Sequence, residues 1–256
     1  MSVNVAVVGA TGVVGRTMRS ILEDRNFPVK ELRLMASARS AGTTIDTRWG
    51  EVVVEDLATA DPRGIDVALF SAGATRSREF ANAFAEAGAT VIDNSSAFRQ
   101  VDDIPLVVAG VNDHAAHEND GIIANPNCTT MTLMMGVAPL HRAAGMKTMI
   151  ATSYQSVSGS GSAAIAELVR QNNELGADVE LLRDGGWSDP GAEIYARPIG
   201  WNVLPLAGDM DRDGYTVEEW KLVNETRKIL GRDDIAVEPT CVRVPTVVGH
   251  GVHASA

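Results

Sequence analysis

The sequence predicts an α/β fold, with a doubly wound and mostly parallel sheet followed by a second α+β domain. Three observations predict it. First, the chain opens as strand, glycine turn and helix: the apolar run Val3 to Val8, the loop Gly9-Ala10-Thr11-Gly12-Val13-Val14-Gly15, and a helical pattern to about Asp24. Second, short apolar strands then alternate with helical stretches, the pattern of a parallel sheet built from β-α-β units. Third, the pattern changes after Cys128, which marks a second domain. The expected division is 1–127 for a Rossmann-like domain and 128–256 for the rest.

The elements follow in order. In the opening loop the glycines let the backbone turn tightly and approach a pyrophosphate, which the N-terminus of the following helix then binds. Gly9, Thr11, Gly12, Val13 and Val14 are therefore the candidate phosphate-binding residues. The spacing is G-x-x-G-x-x-G, not the commoner G-x-G-x-x-G, and an ordinary strand-to-helix turn is the competing reading. A second strand at about Leu32 to Met35 ends in Ala36-Ser37-Ala38-Arg39-Ser40. An NAD-binding fold usually places an acidic residue near here, on the ribose 2′-hydroxyl. Ser37, Arg39 and Ser40 instead offer hydroxyls and a cation that suit a 2′-phosphate, so NADP(H) is the expected cofactor. Further strands are expected at Val67–Phe70, Val91–Ile92 and Leu106–Val108, with a helix around Ser77–Ala87. Ser71 and Gly73 follow their strand where such sheets hold ligands, outside the carboxyl ends.

The hexapeptide Asn125-Pro126-Asn127-Cys128-Thr129-Thr130 lies between the short strand Gly121–Ala124 and a helical run to about Ala144, which Pro139 is expected to kink or interrupt. A thiol at a helix N-terminus meets unpaired N–H groups and the positive end of the helix dipole, which favour the nucleophilic thiolate. A buried cysteine acting as a small apolar residue is the alternative. A strand at about Lys147–Tyr154 leads into Ser156-Val157-Ser158-Gly159-Ser160-Gly161 and a helix to about Leu175. Thr216-Val217-Glu218-Glu219 reads as a capping box, and Glu218 and Lys221 share one helical face, where an exposed ion pair contributes little. Thr240-Cys241-Val242-Arg243-Val244-Pro245 begins a strand-like segment expected to reach Gly249-His250. His114, His117, His141 and His253 sit in no such setting and read as surface or loop residues.

Composition narrows the function classes. The chain has 256 residues, 45% apolar and 21% charged, typical of a globular protein. A net charge of −11 argues against nucleic acid as a partner, which requires a basic face. No apolar run is long enough for a membrane span, and the N-terminus lacks the pattern of a signal peptide. Two widely separated cysteines suggest a reduced, cytoplasmic protein instead of a disulfide framework, and no metal-ligand spacing stands out.

Taken together, the motifs resemble those of the aspartate-β-semialdehyde dehydrogenases. The resemblance runs from the glycine loop through A-S-A-R-S, I-D-N-S-S-A-F-R, N-P-N-C-T-T, S-Y-Q-S-V-S-G-S-G, E-E-W-K and C-V-R-V-P to G-H, nearly the whole chain. The related N-acetylglutamyl-phosphate reductases share the layout, but their cysteine motif is closer to N-P-G-C-Y. The phosphorylating glyceraldehyde-phosphate dehydrogenases lack the E-x-x-K helix.

The resemblance implies reduction of L-aspartyl 4-phosphate by NADPH to L-aspartate 4-semialdehyde and inorganic phosphate. It makes Cys128 the nucleophile, His250 the general acid/base and Gln155 the residue that orients the thioester. Arg243 would clamp the α-carboxylate, Glu218 would accept from the α-ammonium, and Arg99, Lys221 and Asn127 would hold phosphate. Ser158 and Gly159 join the cofactor-binding set. The second half becomes a catalytic and dimerisation domain of a homodimer or homotetramer. Because family members are longer, the resemblance also implies a C-terminally shortened chain with an incomplete second domain. The competing reading is a dinucleotide-fold protein of weak or no activity that acts by binding or oligomerisation.

Overall fold

The computed structural model describes residues 2–176, 179–211 and 213–256. The chain forms two compact units, Met1–Pro139 with Arg227–Arg232 and Leu140–Thr226 with Asp233–Ala256.

The first unit is built on a seven-stranded sheet of β1 (Val3–Val8), β2 (Val29–Ala36), β3 (Thr44–Thr47), β4 (Gly50–Asp56), β5 (Val67–Phe70), β6 (Thr90–Asp93) and β7 (Ile122–Ala124). Their spatial order is β3-β4-β2-β1-β5-β6-β7, parallel throughout except for the β3–β4 hairpin at one edge. The central strand β1 buries Val5, Ala6, Val7 and Val8 in succession. A run that is apolar on both faces is what a strand in the middle of a parallel sheet requires. Helices α1 (Val13–Asp24) and α2 (Ala74–Glu86) follow β1 and β5, and Phe84 of α2 meets Phe70 of β5 edge-on, with ring centroids 5.1 Å apart.

Two elements depart from the sequence reading. Leu106–Val108 is not a strand, and only Leu106 makes a bridge, to Ala124. The Asn112 side chain takes over the local backbone groups, accepting from Val108 N at 2.8 Å and donating to Leu106 O at 2.9 Å. Two further backbone bonds, Val107 N to Ala124 O and Ala124 N to Pro105 O, both 2.9 Å, hold the segment to β7 around that single bridge. Nor does Pro139 end its helix: α3 runs from Cys128 to Ala144 with Pro139 inside it. Leu133, Met134, Val137 and Ala138 are buried along that helix, and their packing offsets the missing backbone donor.

The second unit contains α4 (Ser162–Leu175), α5 (Val179–Asp184), most of α6 (Val217–Leu230) and a three-stranded sheet. Its strands are β8 (Thr148–Gln155), β9 (Ala236–Arg243) and β10 (Gly251–Ser255), in the order β10-β8-β9. β8 pairs with β9 in parallel and with β10 antiparallel. The strand carrying Arg243 ends there, and residues 244–250 form an irregular connection, so Arg243 and His250 do not share one strand. That connection is held by Val244 N to Gln155 O, Val157 N to Thr246 O and Ser158 N to Val247 O. One face of the sheet buries Met149, Ala151, Ser153, Gln155, Cys241 and Arg243. The polar members of that face need partners, and they lie where the site forms. Among the described residues, no helix is long and apolar enough to cross a membrane.

Candidate active site

In the first unit three loops gather at the carboxyl ends of neighbouring strands β2, β1 and β5. Each glycine of the first loop answers a separate constraint. Gly9 has φ +85°, and a Cβ there would lie 2.3 Å from Ser71 O, so the turn after β1 can pass β5 only without a side chain. A Cβ on Gly15 would lie 2.2 Å from Gly9 O, which lets α1 press against the loop. Gly12 stands immediately before α1 and leaves its backbone approachable, the place a pyrophosphate takes in this architecture. No acidic residue occupies the first turn of α1, which begins with Val13 and Val14.

The loop after β2 is drawn in by a hydrogen bond from Thr11 Oγ1 to Ser40 Oγ at 3.3 Å, and Ser40 N donates back to Ser37 O at 2.8 Å. Arg39 is exposed on this turn and makes no ion pair among the described residues. Ser71 N donates to Val8 O at 2.8 Å, and Gly73, with φ +85°, precedes α2. The sequence-predicted dinucleotide residues of this unit thus share one edge of the sheet.

The next strands carry the thiol. Asn127 Oδ1 accepts from Thr129 N at 3.0 Å and from Thr129 Oγ1, which caps α3 and starts the helix at Cys128. The Cys128 thiol is exposed, with Sγ 3.9 Å from Asn127 Oδ1. Behind it, Asn125 N donates to Asp93 O at 2.8 Å and Asn125 Nδ2 to Asn94 Oδ1 at 2.6 Å. The largely buried Arg99 donates from Nε to Asn125 O at 2.9 Å and from Nη2 to Asn94 O at 3.0 Å. Its guanidinium therefore braces the loop that carries Cys128. Asp93, fully buried, is held by the Ser77 and Ser95 hydroxyls at 2.6 and 2.7 Å.

In the second unit Gln155 and Arg243 end β8 and β9 in register. Gln155 Nε2 donates to Ser153 Oγ at 3.1 Å. Ser156 joins two of the predicted residues: its carbonyl accepts from Arg243 Nη1 at 2.9 Å, and its N–H donates to His250 Nδ1 at 3.0 Å. A Cβ on Gly159 would lie 3.8 Å from both Arg243 Nη1 and His250 Nε2, so both groups border the same small space. Arg243 Nε is buried without a hydrogen-bond partner among the described residues. Arg243 Cζ lies 5.6 Å from the centre of the Tyr195 ring. Burial, and then the Arg243 charge, hold the His250 imidazole below its ordinary range. Burial pushes the other thiol, Cys241, up to about 11. Glu218 and Lys221 form an ion pair on α6, and Ser158 lies on the connection after β8, its hydroxyl 3.2 Å from Ser156 Oγ.

Sequence reasoning gave no role to Ser156 or Tyr195. Ser156 was visible only as a member of a polar run, and Tyr195 carries no local signal because Arg243 is remote in sequence. Among the described residues, no group of three or more His, Cys, Asp or Glu side chains is placed to hold a metal ion.

A parallel sheet with a glycine turn between its first strand and helix is the architecture of a dinucleotide-binding oxidoreductase domain. Residues 4–119 match the semialdehyde dehydrogenase NAD-binding domain, and residues 137–256 match the semialdehyde dehydrogenase dimerisation domain. The aspartate-semialdehyde dehydrogenase of Streptomyces akiyoshiensis is 52% identical over 98% of this chain and 75% of its own length. The crystal structure of aspartate semialdehyde dehydrogenase II from Vibrio cholerae is similar, with a TM-score of 0.92 and 43% identity over 99% of this chain and 74% of that one. A second Vibrio cholerae structure, described as complexed with ASA, has a TM-score of 0.91 at 42% identity. The chain belongs to the aspartate-semialdehyde dehydrogenase family.

Proposed function

We propose that the enzyme reduces L-aspartyl 4-phosphate to L-aspartate 4-semialdehyde with NADPH, releasing inorganic phosphate, in the biosynthesis of diaminopimelate, lysine, threonine and methionine. The observation that carries this reading is the seating of Arg243 and His250 on the two sides of the Ser156 backbone. It supports a carboxylate clamp and a proton-transfer group bordering one space.

The chain's own groups fit the steps. Cys128 Sγ attacks the acyl carbon, phosphate leaves, and the acyl group remains on sulfur as a thioester. NADPH supplies the hydride that the reduction consumes. Gly9, Thr11, Gly12, Val13 and Val14 would hold its pyrophosphate, and Ser71, Gly73, Ser158 and Gly159 complete the proposed cofactor-binding set. Ser37, Arg39 and Ser40 would take the 2′-phosphate, favoured by the exposed Arg39 cation, which has no ion pair among the described residues, and by the absence of an acid in that turn. Release of the aldehyde returns Cys128 as thiolate. With Ser156 N–H donating to Nδ1, the neutral His250 ring carries its proton on Nε2, from which it stabilises the oxyanion at the reacting carbon.

Arg243 meets the substrate α-carboxylate with its remaining donors, the buried Nε among them, the task a planar fork suits. Glu218 receives the α-ammonium, Gln155 orients the thioester, and Lys221, Arg99 and Asn127 hold phosphate. The second unit carries an exposed sheet face of Thr148, Ile150, Tyr154, Glu238 and Thr240, which supports homodimer formation there. A reduced cytoplasmic setting suits a nucleophilic thiol. The test is NADPH formation from L-aspartate semialdehyde, NADP and phosphate. Activity that is lost in Cys128→Ala supports the proposal, and absence of activity with this aldehyde overturns it.

A further inference from the structure

We infer that Glu219 is a positioning residue that sets the gap between Glu218 and Arg243, and so matches the site to a substrate bearing both an ammonium and a carboxylate. The inference rests on the proposed function. Glu219 completes the expected capping box: Oε2 accepts from Thr216 N at 2.6 Å and Thr216 Oγ1 at 2.9 Å, and Glu219 N donates to Thr216 Oγ1 at 3.3 Å. A capping box asks nothing more of its carboxylate. Here the second oxygen, Oε1, also accepts from Cys241 N at 2.9 Å.

That bond joins α6 to the outer edge of β9. In the order β10-β8-β9 no strand among the described residues pairs with that edge, and Cys241 is fully buried. Without Glu219 its N–H would be a buried donor with no acceptor. Two residues further along the same edge, Arg243 exchanges backbone hydrogen bonds with Leu204 at 2.8 and 2.9 Å. The inner edge of β9 is fixed to β8 in register through Gln155. Arg243 therefore sits on a backbone held from both sides, and the Glu219 carboxylate ties that backbone to α6 two residues earlier, at Cys241.

The covalent path is short. Glu218 is the neighbour of Glu219, and Arg243 lies two residues beyond Cys241. One buried carboxylate thus connects the group proposed for the ammonium to the group proposed for the carboxylate. A second tie, from Tyr215 Oη to Glu238 at 3.0 and 3.1 Å, joins the segment just before α6 to β9 but is exposed. The Glu218 charge is felt at both His250 and Cys241, in keeping with the closeness of α6 to this end of the sheet. In Glu219→Gln the size is kept, but one oxygen becomes an N–H donor facing either Thr216 N or Cys241 N.

The experiment compares kcat/KM for L-aspartate semialdehyde with that for succinate semialdehyde, which keeps the carboxylate and lacks the ammonium. If Glu219 sets the gap, Glu219→Gln lowers the preference for the aspartate aldehyde at least tenfold, mainly through KM, and leaves NADP affinity unchanged. Thr216→Ala, which loses cap bonds but keeps the tie to Cys241, lowers the melting temperature without moving the preference. Should Glu219→Gln fail to fold, Glu219→Asp, with a shorter reach to Cys241, is read on the same ratio. An unchanged ratio in the folded Glu219 variant overturns the inference, as does an equal change in Thr216→Ala. A wild-type enzyme that does not prefer the aspartate aldehyde overturns the functional proposal and this inference with it.

Discussion

Ser156 shows how a site can depend on a residue whose side chain carries none of the chemistry. Its backbone carbonyl and N–H fix Arg243 and His250, and any non-proline residue supplies those two groups. The sequence therefore could not mark it, whereas Cys128, Gln155, Arg243 and His250 stand out as candidates because their side chains carry nucleophilic, amide, cationic and titratable groups. The two thiols are separated by environment: Cys241 is buried and pushed up to about 11, while Cys128 is exposed at a helix start. Brief iodoacetamide treatment at neutral pH, read by mass spectrometry, labels Cys128 and spares Cys241, and equal labelling contradicts that assignment. His250 is held below its ordinary value, 6.5, by burial and by Arg243. The neutral ring, present above the folded pKa, is the active form, so the acid limb of kcat/KM falls below 6.5. Arg243→Gln removes the cation and moves that limb upward. Arg243→Lys keeps the charge and the limb but loses the fork, raising KM roughly ten- to hundredfold, as expected for a charge-assisted hydrogen bond of about 1.5–3 kcal/mol.

At the scale of elements, local chemistry was readable and distant partners were not. The glycine turn, the strand Val67–Phe70 and the capping box at Thr216 follow from short-range rules and stand as expected. The β3–β4 hairpin went unread: its loop, Arg48-Trp49, carries no asparagine-glycine signal, and Thr47 Oγ1 closes it on Gly50 O at 2.8 Å. Leu106–Val108 falls short of a strand because the Asn112 side chain takes Val108 N and Leu106 O, which leaves only the bridge at Ala124 to the sheet. The opening glycines give a graded prediction. Gly15→Ala puts a Cβ 2.2 Å from Gly9 O and destabilises the first unit by several kcal/mol or prevents its folding. Gly12→Ala meets Gly9 O only at 3.3 Å, so the fold survives while NADPH affinity falls, by roughly tenfold, in calorimetric titration. Loss of stability without loss of affinity in Gly12→Ala would contradict the proposed phosphate contact.

For the whole molecule, the two units divide the chemistry. One carries the glycine loops and the Cys128 thiol at the carboxyl ends of a parallel sheet, and the other carries Gln155, Arg243 and His250 at the ends of β8, β9 and the connection to β10. The sequence reading puts its division at 127/128, where the pattern changes after Cys128, whereas the compact units divide at Pro139/Leu140, so that most of α3 stays with the first unit. The exchange of Arg227–Arg232 into the first unit was not legible, since it depends on long-range bonds such as Lys228 Nζ to Ile104 O at 2.9 Å. The chain spans about three quarters of the length of the relatives it matches. The central claim is covalent catalysis by Cys128, and the most direct test is to trap the acyl-enzyme. The protein is mixed with L-aspartate semialdehyde and NADP without phosphate, quenched in acid and analysed by peptide mass spectrometry. The account predicts an aspartyl thioester on the peptide containing Cys128, formed together with one equivalent of NADPH and discharged by added phosphate. NADPH formation with Cys128 unmodified, or an acyl group on another residue, would contradict it.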